Sequence, residues 1–310
     1  MSGTYILRKG KAQLSDLVDG GSIWGYPGPL YPGKNYYVNN RTGSAGASGE
    51  TWTDAMDQVS VAITASEAHH DTHGNNYNVP NNIFIQGTNT VYTGLTDTGE
   101  YANIIGVSAG TMFEGEGMGE VRIGSTTDGD GVVDTSNSIG NSWYNLQFVY
   151  GNTGHWGFKN SAKVMRSRFT EITFMQQASA GTGGFNAVAM TGTIIERCRF
   201  VTNSGGTVTT YGIYISGQNS DNQIIYNYLD CGTTALLSLG TGSGIGNLIA
   251  HNYFSGPTTN AFLDASASSL SFLAGNYFAH ANVTTDNISR ANDNRNSGNF
   301  VAGTADYVST

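Results

Sequence analysis

Apolar and polar residues alternate along most of this chain in runs of only a few positions, and clusters of Gly, Asn, Ser and Thr separate the runs. In the second half, from about Trp143 to Phe300, one phrase returns. It reads Asn222-Gln-Ile-Ile-Tyr-Asn-Tyr-Leu229, then Asn247-Leu-Ile-Ala-His-Asn-Tyr-Phe254, then Ser271-Phe-Leu-Ala-Gly-Asn-Tyr-Phe278. Fainter copies are Lys163-Val-Met-Arg-Ser-Arg-Phe169, Thr193-Ile-Ile-Glu-Arg-Cys-Arg-Phe200 and Asn296-Ser-Gly-Asn-Phe300. Counted from the closing residue, the copies advance by 31, 29, 25, 24 and 22 residues. Self-similarity at such a spacing is the mark of stacked units.

Each phrase alternates over four to six residues, which is the period of a strand. A second alternating run lies between phrases, as in Tyr211-Gly-Ile-Tyr-Ile215 and Ala235-Leu-Leu-Ser-Leu239. No repeat contains a helical stretch of ten residues, which excludes helix-containing arrays. Short strands in units of this length predict the coils of a parallel β-helix, each bonded to the next at about 4.8 Å. Asn227, Asn252 and Asn276 fall at equivalent places, with Cys198 and Ser167 there in earlier coils. Stacked at a corner, the asparagines would form an amide ladder. Phe169, Phe200, Leu229, Phe254 and Phe278 would form an apolar column inside.

The first half is organised differently. Residues 1–34 hold three of the five prolines, Pro27, Pro29 and Pro32, and the apolar group Ile23, Trp24, Tyr26, Leu30 and Tyr31. Proline excludes helix and sheet interior, so this segment is expected to be an extended arm. Ile23, Trp24, Tyr26, Leu30 and Tyr31 are its candidate partner-binding residues; a lid folded over the first coil is the other reading. After Tyr36-Tyr-Val38 and a Gly/Ser loop, one amphipathic helix is predicted over about Thr53 to Ala68. Thr51 or Thr53 would cap it, and Ala55, Met56, Val59, Ala62 and Ile63 would share its apolar face. Ile83-Phe-Ile-Gln-Gly87 and Ala102-Asn-Ile-Ile-Gly-Val107 read as strands.

This order resembles the opening of pectate-lyase-like right-handed parallel β-helix proteins. The residues that carry it are the Tyr-Tyr-Val strand, the Gly-rich loop, Thr51-Trp-Thr-Asp-Ala55 at the helix start, Asn103-Ile-Ile-Gly-Val107, and the Asn-x-x-Phe coils. The resemblance implies an all-β, right-handed, single-stranded solenoid whose helix caps the first coil. Its divisions are a docking arm over 1–34, a helix and first coils over 35–142, and repeated coils over 143–310. The fold serves polysaccharide lyases, glycoside hydrolases and virion proteins of phages alike.

Composition narrows the choice. The net charge is −9, which argues against nucleic acid and anionic membranes as partners. No apolar run approaches the 18 or so residues of a membrane span, and Met1–Gly10 lacks the apolar core of a signal peptide. Cys198 and Cys231 fall at different points of neighbouring coils and are expected to be reduced, partly buried thiols.

The chemistry of the family's enzymes is not evident in the residues. Glu171, Glu196, Asp221, Asp230, Asp264, Asp286, Asp293 and Asp306 neither adjoin nor repeat at the coil spacing, and the lyase pattern Arg-x-Pro-x-x-Arg is absent. Glu171, Glu196 and Asp264 are therefore expected on a solvated surface. His69, Asp71 and His73 are spaced for a metal on a helix, but the Gly-Asn-Asn that follows marks a helix end. Asp128-Gly-Asp-Gly131 begins like a Ca²⁺ loop without the later Glu, so a turn is expected. No cofactor and no metal are implied. Tyr144, Tyr150, Trp156, Tyr226, Tyr228, Tyr253 and Tyr277 fit either a sugar-stacking surface or ordinary stacking within a solenoid.

The expectation is a non-enzymatic bacteriophage virion protein of the capsid-decoration, spike or fibre type, made in the host cytoplasm. It would associate as a homo-oligomer, a trimer first, bind other virion proteins through residues 1–34, and touch a host glycan on its outer face. The alternative is a polysaccharide lyase or glycoside hydrolase on the same fold. A surface adhesin processed from a longer precursor is the third possibility.

Overall fold

A computed structural model describes residues 33–72, 79–107, 121–177, 181–202, 210–231, 234–240, 244–255, 260–264, 269–279 and 295–301. The docking residues Ile23, Trp24, Tyr26, Leu30 and Tyr31 lie outside them.

The chain winds as a parallel β-solenoid with three faces. Along each coil it passes from the first to the second to the third and back. The first face runs from Asn35–Val38 through Asn81–Gln86, Ala102–Val107 and Ser142–Tyr144 to Arg295–Ser297, every pairing parallel. The second is an eight-stranded sheet from Arg122–Gly124 to Phe300–Val301. The third joins Val132–Asp134, Trp156–Met165, Gly183–Thr191, Tyr211–Ile215, Ala235–Leu239 and Asn260–Asp264.

Alternation turns every second side chain inward, so three apolar columns fill the core. Ile83, Ile104, Trp143, Phe169, Ile195, Ile224, Ile249 and Leu273 succeed one another on the first face, all buried. The second face contributes Phe148, Phe174, Phe200, Leu229, Phe254 and Phe278. The third contributes Val132, Phe158, Phe185, Ile213, Leu237 and Phe262. Phe174 and Phe200 stack at 4.4 Å, and Phe158 and Phe185 at 5.0 Å.

The register corrects one expectation. Phe169 is not in the column of Phe200; it pairs with Ile195 on the first face, and Phe174 is the partner of Phe200. Ser167 moves with it, because Ser167 precedes the first face and Cys198 precedes the second.

Most corners leading into and out of the first face, from Tyr101 onward, are built alike. A residue with positive φ makes the bend, and the next residue points inward. At the corner leading out, the bend residues are Asn145, Glu171, Arg197, Tyr226, His251, Gly275 and Gly298, with φ between 51° and 62°. Asn227, Asn252, Asn276 and Asn299 follow the last four of these and form the expected ladder. Each amide nitrogen donates to the next Oδ1, at 3.0 Å from Asn227, 3.0 Å from Asn252 and 2.9 Å from Asn276. Those oxygens also accept the backbone N–H groups of Asn227, Asn252 and Asn276, and Asn227 Oδ1 accepts that of Cys198. A second ladder stands at the corner leading in, where Asn222 donates to Asn247 at 2.9 Å and accepts the Thr193 N–H. These side chains satisfy backbone groups that the bend removes from the strand ladder.

The helix spans Val59–Thr72, not Thr53–Ala68. Thr51 does act as a cap, but of a short 3₁₀ turn, Trp52–Asp54. Met56 is taken by the first strand: its N–H donates to Tyr37 O at 2.9 Å and its carbonyl accepts Asn39 N–H at 2.8 Å. Those strand bonds exclude a helical backbone there. Val59, Ala62, Ile63, Ser66 and His70 form the buried stripe, packed on the first two strands of the first face. Tyr36 Oη donates to Ala65 O, and Asn81 Nδ2 to Ser66 O. The helix thereby covers core at the first coil.

Candidate functional site

The acids singled out in the coils stand apart. Glu171 is exposed at a left-handed bend. Glu196 corrects the expectation of a solvated surface: it is 8% exposed, and its Oε1 accepts from Arg168 Nη2 at 2.6 Å, Arg168 Nε at 3.1 Å and Thr170 Oγ1 at 3.1 Å. The partner lies in the adjacent coil, so burial of the carboxylate is offset by an ion pair. Asp230 accepts from the Tyr228 hydroxyl at 3.3 Å. Asp264 ends a third-face strand; Asp286, Asp293 and Asp306 lie outside the described residues.

The helix carries His69 and Asp71 and is described as far as Thr72; His73 and the Gly-Asn-Asn after it lie outside the described residues. His70 is buried, and burial pushes its pKa down against a hydrogen bond from its ring to the Val79 backbone. Among the described residues no three His, Cys, Asp or Glu side chains are placed to hold a metal. The Asp128–Gly131 stretch is a bend between the strands Arg122–Gly124 and Val132–Asp134, with Gly129 bridged to Gly151. Its carboxylates clamp a residue of the next coil: His155 Nε2 lies 3.0 Å from Asp128 Oδ1, and Nδ1 lies 3.0 Å from Asp130 Oδ2.

Carboxylates do gather around Asp71, in a grouping that its spacing to the histidines did not indicate. Glu67, His70, Asp71 and Glu100 line a polar cleft of about 280 Å³ beside the helix. Desolvation, then the charges of Asp97, Glu100, Asp71 and Asp134, push Glu67 upward. Glu100 is raised by burial and by Asp134 and Asp97. Asp134, buried and hydrogen-bonded to Thr98, is raised by burial. These acids come from the helix, the stretch before Ala102 and the strand Val132–Asp134, which only coiling brings together.

The cluster fixes a sign for pH. A carboxyl whose folded pKa exceeds its unfolded value stabilises the fold below the unfolded pKa, and that contribution is lost as pH rises through the folded pKa. Stability at this end is therefore expected to rise as pH falls from neutral into the carboxylate range. Glu67→Gln should melt about 2 °C above the parent at neutral pH and coincide with it in acid, as measured by scanning calorimetry.

The aromatics divide. Tyr150 and Trp156 are core residues, at 0% and 5% exposure. Tyr228, Tyr253 and Tyr277 point outward from the second face and stack at 5.3 and 5.1 Å, with Arg199 over the first ring at 5.9 Å. Beside them Tyr226 stacks on His251 at 5.0 Å. The sequence showed the Asn-Tyr repeat but not which aromatics face out. Cys198 and Cys231 form no disulfide and are buried. Burial pushes the Cys198 thiol up to about 12.

No helix among the described residues is long and apolar enough to cross a membrane. Fold and surfaces together define a parallel β-solenoid with a helix over its first coil and an outward aromatic strip near its last coils. Compared with models of known protein families, with curated proteins and with solved structures, the chain matches none.

Proposed function

We propose that this chain is a structural component of a bacteriophage particle, of the capsid-decoration, spike or fibre type, in which the solenoid is a stiff body and residues 1–34 attach it. The observation that carries the reading is the double amide ladder. It ties the corners of the later coils, from Asn222 to Asn299, with buried hydrogen bonds, so that part of the body resists bending and local opening. In the coils, Glu196 is held in an ion pair and Glu171 stands exposed at a bend, an arrangement that serves a scaffold. The body would associate as trimers and present its outer face to other virion proteins or a host glycan. Deleting residues 1–34 should abolish incorporation into particles while the body remains folded by circular dichroism. Incorporation at the parental level would end this reading.

The cleft at Glu67 and Glu100 favours a second reading, a polysaccharide lyase or hydrolase, because desolvated carboxyls of raised pKa suit proton transfer. Release of reducing ends or unsaturated products from acidic glycans, lost in Glu67→Gln, would favour it over the first.

A further inference from the structure

Tyr226 and His251 occupy bend positions at φ 57° and 55°, where the next two coils use Gly275 and Gly298. A side chain in the left-handed region costs about 1 kcal/mol. Yet both residues are exposed, Tyr226 at 56%, and their rings stack on each other instead of filling the core. Two residues further along each coil stand Tyr228, Tyr253 and Tyr277. Asn227 and Asn252 turn inward between, so two aromatic columns run side by side along the axis. Asn145, Glu171 and Arg197 make the same bend in earlier coils, so what sets this stretch apart is its display of exposed, stacked rings in two adjoining columns, which marks a contact site.

The geometry also selects the ligand. Rings in the tyrosine column lie 10° and 17° from parallel, so each covers its neighbour's face and presents an edge outward. A flat sugar, which needs a ring face, is poorly served. A polyproline-II segment fits better, since its carbonyls are free to accept from tyrosine hydroxyls and its pyrrolidine rings pack between aromatic ridges. One turn of such a helix advances about 9.3 Å. Tyr228 to Tyr277 spans the 5.3 and 5.1 Å steps together, a similar distance.

The chain carries one matching segment, Tyr26-Pro-Gly-Pro-Leu-Tyr-Pro32, with Pro29 and Pro32 one such turn apart. Residues 1–34 contain four Lys or Arg and two Asp, a charge of +2, and this leaves −11 on the remainder. Opposite charge steers the two together. Reach decides between the same chain and another. Lys34 N donates to Asn81 Oδ1 at the first coil. From Lys34 the corner passes Asn81, Ala102, Asn141, Ser167 and Thr193 before Asn222, six coil steps in all or about 29 Å. Pro29, four residues before Gly33, reaches about 14 Å when fully extended.

We infer that the aromatic strip of one copy receives the proline segment, residues 26–32, of a second copy. This rests on the reading of residues 1–34 as a docking arm. The first coil of one copy then meets the last coils of another, a head-to-tail contact that builds open chains or rings of copies.

The test uses full-length protein. A photo-crosslinking p-benzoylphenylalanine replaces Tyr253 in an equal mixture of ¹⁴N- and ¹⁵N-labelled chains. Irradiation should give mixed-isotope adducts mapping to residues 24–32. Tyr253→Ala with Tyr277→Ala should weaken self-association at least tenfold in light scattering. Adducts within one copy, adducts to the body of a second copy, or unchanged association of the double variant would each overturn the inference. If the double variant associates normally while loss of residues 1–34 still abolishes particle incorporation, this inference falls and the docking arm stands. If neither change has an effect, both fall.

Discussion

Asn252→Ala is expected to destabilise the solenoid by about 4 kcal/mol, a large effect for a polar-to-small substitution. The Asn252 side chain makes four hydrogen bonds. Its Oδ1 accepts from Asn227 N at 2.9 Å and Asn227 Nδ2 at 3.0 Å; its Nδ2 donates to Ile224 O at 2.8 Å and Asn276 Oδ1 at 3.0 Å. After truncation Asn227 keeps a bond from its amide to Ile195 O, and Asn276 Oδ1 keeps the Asn252 N–H. The Asn227 N–H and the Ile224 carbonyl lose these partners in the interior. An orphaned buried group costs about 1–3 kcal/mol, and the cavity adds to it. Asn252→Asp should not rescue, because it keeps the acceptor, loses the donor, and sets a carboxylate against Asn276 Oδ1. Urea unfolding measures the loss. Hydrogen exchange should quicken in the coils from Asn222 to Phe278 and stay unchanged from Ser142 to Gln176, since each coil contacts only its neighbours. A loss below 1 kcal/mol would show that water replaces the ladder.

The ladder also shows why part of the fold was legible and part was not. Asn227, Asn252 and Asn276 stood out because the same phrase surrounds each of them. The error at Phe169 comes from the same source. Arg166-Ser-Arg-Phe169 and Arg197-Cys-Arg-Phe200 are nearly one string, and both encode a left-handed bend, an inward small residue and a core phenylalanine. They lie at different corners, because most coils have two bends built alike. Local pattern specifies the bend but not which bend it is; the register does, through pairings such as Phe174 with Phe200. The predicted helix began too early because Ala55 and Met56 suit a helix locally, while bonds of Met56 to Tyr37 and Asn39, and of the Ala55 carbonyl to the Ser44 N–H, claim their backbone. The pairing of Glu196 with Arg168, and the gathering of Glu67, Glu100 and Asp134, join residues that only coiling brings together. The outward side of a strand carries little constraint, so the aromatic strip became apparent only from exposure and stacking.

Phe185→Ala is the second large effect, expected at about 4 kcal/mol. Phe185 is fully buried where the columns meet. It stacks on Phe158 at 5.0 Å and 7°, and meets Phe169 edge-on at 5.2 Å and Phe174 at 6.2 Å. Truncation opens a ring-sized void lined by aromatics from all three faces, and their parallel backbones are fixed on both sides, so the site cannot collapse to fill it. Phe278→Ala, whose ring stacks on Phe254 in the penultimate part of the described coils, should cost about 1 kcal/mol less, because fewer rings surround it. The two variants should also differ in kind. In a one-dimensional stack a weak interface at the middle uncouples what lies on either side. Phe185→Ala should therefore split the urea transition into two, with the helix-capped half unfolding apart from the Asn-ladder half, while Phe278→Ala only frays the last coils. A single sharp transition for Phe185→Ala at the parental midpoint would mean that the backbone ladders alone, without the aromatic columns, hold the coils in register.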